Sequence, residues 1–115
     1  MTTGKRSIYN LIEDEFGTSF LERENPEATS VGTASSLMLK SDANRVAFYL
    51  INLSANTIYI RPTLAATTSA GIFVAGNGGF FITNWKEDFT LPARDWFIIA
   101  SGAGSNYYVL EIVAI

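Results

Sequence analysis

From residue 31 onwards, short runs of β-branched and aromatic residues alternate with clusters of Gly, Asn and Ser. Regularly spaced runs of this length are typical of β-sandwiches and β-barrels. About eight strands are predicted, at residues 33–40, 44–53, 57–62, 71–75, 79–84, 87–91, 95–101 and 106–114. The sequence therefore predicts an all-β domain over residues 31–115, an antiparallel β-sandwich that is jelly-roll-like or barrel-like.

Three of the connections carry strong turn chemistry. Residues 54–56 read Ser-Ala-Asn, residues 76–79 read Gly-Asn-Gly-Gly, and residues 101–105 read Ser-Gly-Ala-Gly-Ser. These residue types tolerate the positive φ angles and local hydrogen bonds of tight turns. We therefore expect each of the three to close a β-hairpin.

The first 30 residues differ from the rest of the chain in charge. They hold six acidic and three basic side chains, whereas residues 31–115 hold five of each, so the net charge of −3 lies in this segment. We interpret residues 1–30 as an N-terminal arm, extended or partly helical, attached to the sandwich domain.

The arm contains a candidate amphipathic helix at residues 8–16. Its apolar residues recur at helical spacing, and Ser7 can cap the N-terminus of such a helix. A helix of about nine residues is marginal on its own and needs a surface to pack against. That surface belongs either to its own sandwich or to a neighbouring subunit, and removal of residues 1–25 is expected to leave the sandwich folded. The predicted contact residues of the arm are Ile8, Leu11, Ile12, Phe16 and Phe20.

The composition argues against several classes of function. The chain has no histidine and no cysteine, which removes the commonest general base, the thiolate nucleophile and the main zinc ligands. No basic stripe is present for binding nucleic acid, and no apolar run approaches the roughly 20 residues that cross a bilayer. We expect a protein that is not an enzyme, with no catalytic residues, no metal, no cofactor, and neither nucleic acid nor membrane as a partner.

Glu111 is the one acidic residue inside an apolar strand of the predicted sandwich. Alternation along the strand places it on the same face as Val109 and Val113. An unpaired carboxylate there would be costly, so a structural ion pair with Arg45 or Arg61 is expected. A catalytic acid of a glycosidase is the less favoured alternative.

Aromatic residues make up 13% of the chain, and several lie in or beside predicted strands. Large aromatic side chains bury wide areas at interfaces while a polar atom stays hydrogen-bonded. The four predicted to contact other chains through the sandwich are Tyr49, Tyr59, Trp85 and Trp96. Such residues could instead stack on sugar rings, which would make the domain a carbohydrate-binding module.

Two strands are apolar on both faces, at residues 46–51 and 96–100. A free sandwich strand should alternate apolar and polar residues, so the outer face must be covered. One short helix is too little cover, and large apolar patches mark interfaces. The sequence therefore predicts a symmetric homo-oligomer, for example a trimer.

The C-terminal 70 residues carry a recognisable combination of strands and turns. It consists of an Asn-rich hairpin, a Ser-Ala-Gly-Ile segment, a charged turn before an aromatic strand, and a Val-Leu-Glu-Ile ending. These features lie at residues 44–60, 69–72, 95–100 and 109–112. In this combination the chain resembles small β-sandwich virion proteins of tailed bacteriophages.

The resemblance implies a structural role and a set of partners. Proteins of this group commonly form symmetric oligomers whose arms reach neighbouring subunits. The implied function is decoration or cementing of the capsid shell by contact with the major capsid protein, after synthesis in the host cytoplasm. A neck, tail or fibre position in the virion is the alternative.

Overall fold

The computed structural model describes residues 7–115, and these form two antiparallel β-sheets packed face to face. The nine strands of this part of the chain are β1 (Phe20–Glu24), β2 (Ser30–Val31), β3 (Ser36–Leu39), β4 (Arg45–Asn52), β5 (Ile58–Pro62), β6 (Ile72–Val74), β7 (Phe80–Asn84), β8 (Trp96–Ala100) and β9 (Ser105–Ala114). One sheet has the order β1-β9-β4-β7, with β2 also paired to β9, and the other has the order β3-β8-β5-β6. The predicted all-β sandwich is confirmed.

Strand β9 shows how alternation sets the two faces of a sheet. Its residues are alternately buried and partly or fully exposed along the whole strand. The buried positions include Tyr107, Val109 and Val113, whereas Leu110 and Ile112 point away from the core. Because side chains of successive residues point to opposite faces, one strand supplies both the core and an outer surface.

The core lies between the two sheets. Phe48 of β4 and Trp96 of β8 come from opposite sheets and meet edge to face, with ring centroids 5.0 Å apart. The Phe81 ring packs against both. Trp96 is fully buried, and its Nε1 donates a hydrogen bond to the Leu91 carbonyl at 2.9 Å. This cluster joins the sheets by aromatic packing.

The three predicted turns exist, but they do not close hairpins. Residues 53–57 lead from β4 to β5, 75–79 from β6 to β7, and 101–104 from β8 to β9. In each case the two strands belong to different sheets. Turn chemistry indicates that the chain reverses, but it does not determine whether the next strand pairs with the previous one.

Asn52 explains how the first of these crossings is held. It is fully buried, and its Nδ2 donates to the carbonyls of Asn56 at 2.7 Å and Val74 at 3.2 Å. Its Oδ1 accepts from the backbone N–H of Ser54 at 2.9 Å and from the Ser54 hydroxyl at 2.7 Å. The Asn52 side-chain amide thus supplies hydrogen bonds at the point where the chain leaves the sheet and backbone pairing between strands ends.

The predicted strand at residues 87–91 is wrong. The chain forms a short helix, α2 (Trp85–Asp88), followed by a 3₁₀ turn at Leu91–Ala93. The Asn84 side chain caps α2 by accepting from the Glu87 N–H at 2.9 Å. Pro92 lies in the 3₁₀ turn, where its missing N–H costs nothing. These local signals override the strand propensity of Phe89 and Thr90.

The N-terminal segment contains a helix and an edge strand. Helix α1 (Ile8–Phe16) has the bounds expected from the sequence, and the Ser7 hydroxyl accepts from the Asn10 N–H at 3.2 Å. Strand β1 pairs with β9 over its full length. The structure therefore places residues 20–24 in the sheet, within the segment interpreted as an arm. Its sequence, Phe-Leu-Glu-Arg-Glu, does not indicate a strand, because four of its five residues are exposed at the sheet edge and three of them are charged.

Candidate assembly surfaces

A buried guanidinium joins the two sheets at one end of the sandwich. The Nε of Arg45 donates to the Pro92 carbonyl at 2.7 Å. Its two terminal nitrogens donate to the Lys40 carbonyl at 2.8 and 2.7 Å, to Glu111 Oε1 at 2.8 Å and to the Arg94 carbonyl at 2.8 Å. All five N–H groups are therefore used. Burial lowers the pKa of Arg45, and the Glu111 carboxylate opposes this effect.

Arg45 is thus the ion-pair partner of Glu111, and Arg61 does not contact this carboxylate. Among the described residues, the Arg61 guanidinium donates one long bond, 3.4 Å, to the Ala65 carbonyl. It lies on the outer side of β5, away from β9, so its pairing with Glu111 is corrected. The sequence reading missed Arg23, whose Nε lies 3.0 Å from Glu111 Oε2, an ion-pair contact without hydrogen-bond geometry. Only recognition of β1 as a strand could have indicated it.

Asp42 completes the network at the protein surface. Its Oδ2 accepts from Arg23 at 2.7 Å, and its Oδ1 accepts from the Asn44 N–H at 2.9 Å. The Asn44 N–H, followed by Arg23, lowers the pKa of this carboxyl. The network is built from the chain's own groups, which indicates a structural role in tying β1, β4 and β9 together.

Two apolar rows cross the outer face of the five-stranded sheet. Register places Leu110, Tyr49 and Ile82 side by side on β9, β4 and β7. Tyr108, Ile51 and Phe80 form the next row on the same strands. Phe20 and Ile112 continue the surface towards β1. We call these eight residues the outer sheet face. Of the eight, only Tyr49 and Phe20 were predicted as contact residues, although alternation along β9 also indicates Leu110 and Ile112.

Helix α1 lies beside the outer sheet face without being buried there. Only Ile12 among its nine residues is even half-buried, and Ile8, Leu11 and Phe16 are exposed. Phe16 meets Phe20 edge to face at 5.6 Å. A groove of about 530 Å³ runs between the helix and the sheet, lined by residues that include Tyr9, Ile12, Tyr49 and Ile112.

The remaining predicted contact residues are divided between three locations. Trp85 is exposed on α2 and lines a second groove, of about 370 Å³, together with Ile12 and Phe16. Tyr59 lies on the outer face of the other sheet, where it meets Phe73 edge to face at 5.8 Å. Trp96 is corrected, because it is fully buried in the core and cannot contact another chain.

The described residues offer neither a metal site nor a membrane-spanning helix. Within residues 7–115, no group of three acidic side chains is arranged to hold a metal ion. None of the helices in the described part of the chain is long and apolar enough to span a membrane.

Two solved structures resemble this chain at very low sequence identity. One is a chain from Bacillus endospore appendages, described as a family of disulfide-linked pili; it has a TM-score of 0.50 and 10% identity over 85% of this chain and 90% of that one. The other belongs to the cyanophage Pam1 capsid asymmetric unit, with a TM-score of 0.41 and 8% identity over 100% and 92%. No protein-family model and no curated protein matches the sequence. At such identities the similarity to the pilus chain shows a common fold and nothing more.

Proposed function

We propose that this chain is a non-enzymatic structural subunit that assembles with other copies through apolar surfaces. The observation that carries the proposal is the outer sheet face, on which two apolar rows of side chains remain accessible to solvent. The amphipathic helix α1 lies beside this face and has no buried residue. Soluble monomers rarely expose contiguous apolar patches beyond a few hundred Å². Covering such a surface with a copy of the same chain is the usual solution.

The assembly that we propose is a phage virion, in which the subunit decorates or cements the capsid shell by binding the major capsid protein. Its support is the sequence resemblance over residues 44–115, which the fold accommodates in strands β4 to β9. A β-sandwich with an N-terminal helix outside its core suits a lattice, because the helix can reach a neighbour while the sandwich stays folded.

The surroundings of Trp85 favour assembly over sugar binding. A sugar platform needs free amide or carboxylate groups beside the ring; the Asn84 oxygen is already used to cap α2, which leaves Glu87 as the one carboxylate among the residues that line this groove. Ile12, Phe16 and Phe20 line the groove next to Trp85, and these are apolar neighbours suited to packing against protein.

Association of the full-length chain is the first test. Sedimentation velocity over a micromolar concentration series should show an oligomer, and Phe80→Ser combined with Ile82→Ser should dissociate it. Leu64→Ser is the control, since Leu64 is similarly exposed but lies in the loop between β5 and β6, outside the outer sheet face. A chain that stays monomeric at high micromolar concentration would contradict the proposal.

The placement in the virion needs a separate test. Shells assembled from the major capsid protein of the phage that encodes the chain should bind it at a fixed ratio in co-sedimentation. Mass spectrometry of the purified particles should find the chain at a constant copy number. If the chain self-associates but neither binds the shells nor occurs in the particles, it is a structural subunit of an assembly other than the virion.

A further inference from the structure

The end of the outer sheet face that contains Ile51 and Phe80 is left open by the chain's own helix. The two grooves beside α1 share Ile12 and Ile112, and they reach the opposite end of β4 at Val46 and the end of β7 at Asn84. Phe80 and Ile82, on β7, line a separate small depression to which α1 contributes no residue. Phe80 is 67% exposed and Ile82 is 47% exposed.

Helix α1 is attached to β1 through Gly17, through the Phe16–Phe20 ring contact and through a hydrogen bond from the Ser19 hydroxyl to Glu13 Oε2 at 2.7 Å. The Thr18 hydroxyl donates to the Ile115 carbonyl at 2.7 Å, and the Ile115 N–H donates to the Ser19 carbonyl at 2.9 Å. These bonds hold the start of β1 to the C-terminus. Gly17 ends the helix just before them with a φ of 73°, and a glycine accepts other backbone angles at little cost. Gly17 can therefore serve as the pivot between α1 and the sheet.

The apolar area exposed by the helix and the outer sheet face approaches that of a specific interface. Tyr9, Phe16 and Phe80 are 71, 47 and 67% exposed. At about 150–250 Å² for each aromatic side chain, their exposed parts amount to roughly 280–460 Å². Ile8, Leu11 and Ile82 add to this, and a standard interface takes about 800 Å² from each partner.

We propose that the helix α1 of a second copy occupies the open end of the outer sheet face, packing its apolar stripe against Ile51, Phe80 and Ile82. This inference rests on the proposed function and specifies the contact. The same chain carries both halves, an unburied amphipathic helix and an uncovered apolar sheet. Each copy can therefore give its helix to one neighbour and receive a helix from another, or from the same one.

Cross-linking between chains tests the contact directly, because the native sequence has no cysteine. Full-length Ile8→Cys chains are mixed with isotopically labelled Ile82→Cys chains and treated with a short bismaleimide. Only a contact between copies can join a labelled to an unlabelled chain. Phe73→Cys is the matched control for Ile82→Cys, since Phe73 is at least as exposed but lies on the other sheet.

A charge substitution provides the second measurement. Ile8→Glu combined with Leu11→Glu should raise the dissociation constant by about tenfold or more for each side chain whose burial is lost. Asn10→Glu adds one negative charge to the helix outside its apolar stripe and should change the constant less than about twofold.

The outcomes separate this inference from the proposed function. A cross-linked Ile8→Cys and Ile82→Cys pair, well above the Phe73→Cys control, with dissociation by the two glutamates, supports helix docking. An oligomer that gives no such pair and tolerates the glutamates overturns the docking and leaves the structural subunit standing. A chain that is monomeric in every experiment overturns both.

Discussion

The Arg45 side chain connects several parts of the fold that are far apart in sequence. Its five N–H groups reach the β3–β4 loop, Pro92 in the 3₁₀ turn, Arg94 at the end of that turn, and Glu111 on β9. A lysine could not reproduce this fork of donors. The sequence indicated that Glu111 needed a cation, because its strand is apolar. It could not choose between Arg45 and Arg61, since the choice depends on how the sheets are ordered.

Removal of the Glu111 carboxylate should destabilise the protein strongly. Glu111→Gln leaves the buried Arg45 charge without its counter-ion, and breaking a buried pair in this way costs about 3–5 kcal/mol. Arg61→Gln is the control and should cost less than about 0.5 kcal/mol, because Arg61 is partly exposed and holds one long bond. Urea denaturation followed by circular dichroism measures both. Equal losses from the two variants would show that the pair does not hold the sheets.

Tyr107 should make the protein sensitive to alkali. Burial, with a contribution from the charge of Glu27, raises the pKa of Tyr107 from 10.0 to about 12. The folded chain therefore keeps this proton while the unfolded chain releases it, so stability is full below pH 10 and falls as the pH rises towards 12.

Tyr107→Phe should remove part of this alkaline loss. The phenol hydroxyl has no hydrogen-bond partner among the described residues, so its removal should leave stability at neutral pH unchanged or higher by about 1 kcal/mol. Urea melts from pH 8 to 12 measure the slope. An alkaline slope that is the same in both proteins would show that other groups control it.

At the scale of elements, local signals were read correctly where they act alone. The helix at residues 8–16, its Ser7 cap and seven of the eight strands follow from spacing and turn chemistry. The strand predicted at residues 87–91 was wrong, because the Asn84 cap and the Pro92 turn outweigh the strand propensity of this segment. Strand β1 was not predicted, because Glu22, Arg23 and Glu24 suit an exposed edge and form a strand only when β9 is beside them.

Two truncations should separate the helix from the edge strand. A chain that starts at Thr18 loses α1, which buries no residue of its own. Its free energy of unfolding should therefore lie within about 1 kcal/mol of that of the full-length protein. A chain that starts at Pro26 also loses β1 and the Arg23 contact with Glu111, and it should lose several kcal/mol more. Thermal and urea melts measure the difference. Equal stability of the two chains would show that residues 20–24 contribute nothing to the stability of the sandwich and belong to a dispensable arm.

At the scale of the whole molecule, the net charge lies at one end of the sequence. The entire net charge of −3 comes from residues 1–30, which include the helix proposed to dock on a neighbour. On β1, Glu22 and Glu24 lie beside Ile112 and Leu110 of the outer sheet face, whereas the β4 and β7 residues of this face are uncharged. Docking therefore brings an acidic segment onto a surface that offers it no positive charge, and chains of like charge approach one another. The attraction has to come from burial of apolar surface, while electrostatics between copies opposes it.

Association should therefore resist salt or strengthen with it. The Debye length falls from about 10 Å at 0.1 M to about 3 Å at 1 M ionic strength, which screens repulsion between the acidic segments. Burial of apolar side chains has no such dependence on screening. The dissociation constant of the full-length chain, measured by sedimentation at both NaCl concentrations, should stay constant or decrease, whereas Phe80→Ser with Ile82→Ser should associate weakly at both. Weakening by more than about tenfold at high salt would mean that ion pairs drive the contact and that the apolar face is not its centre.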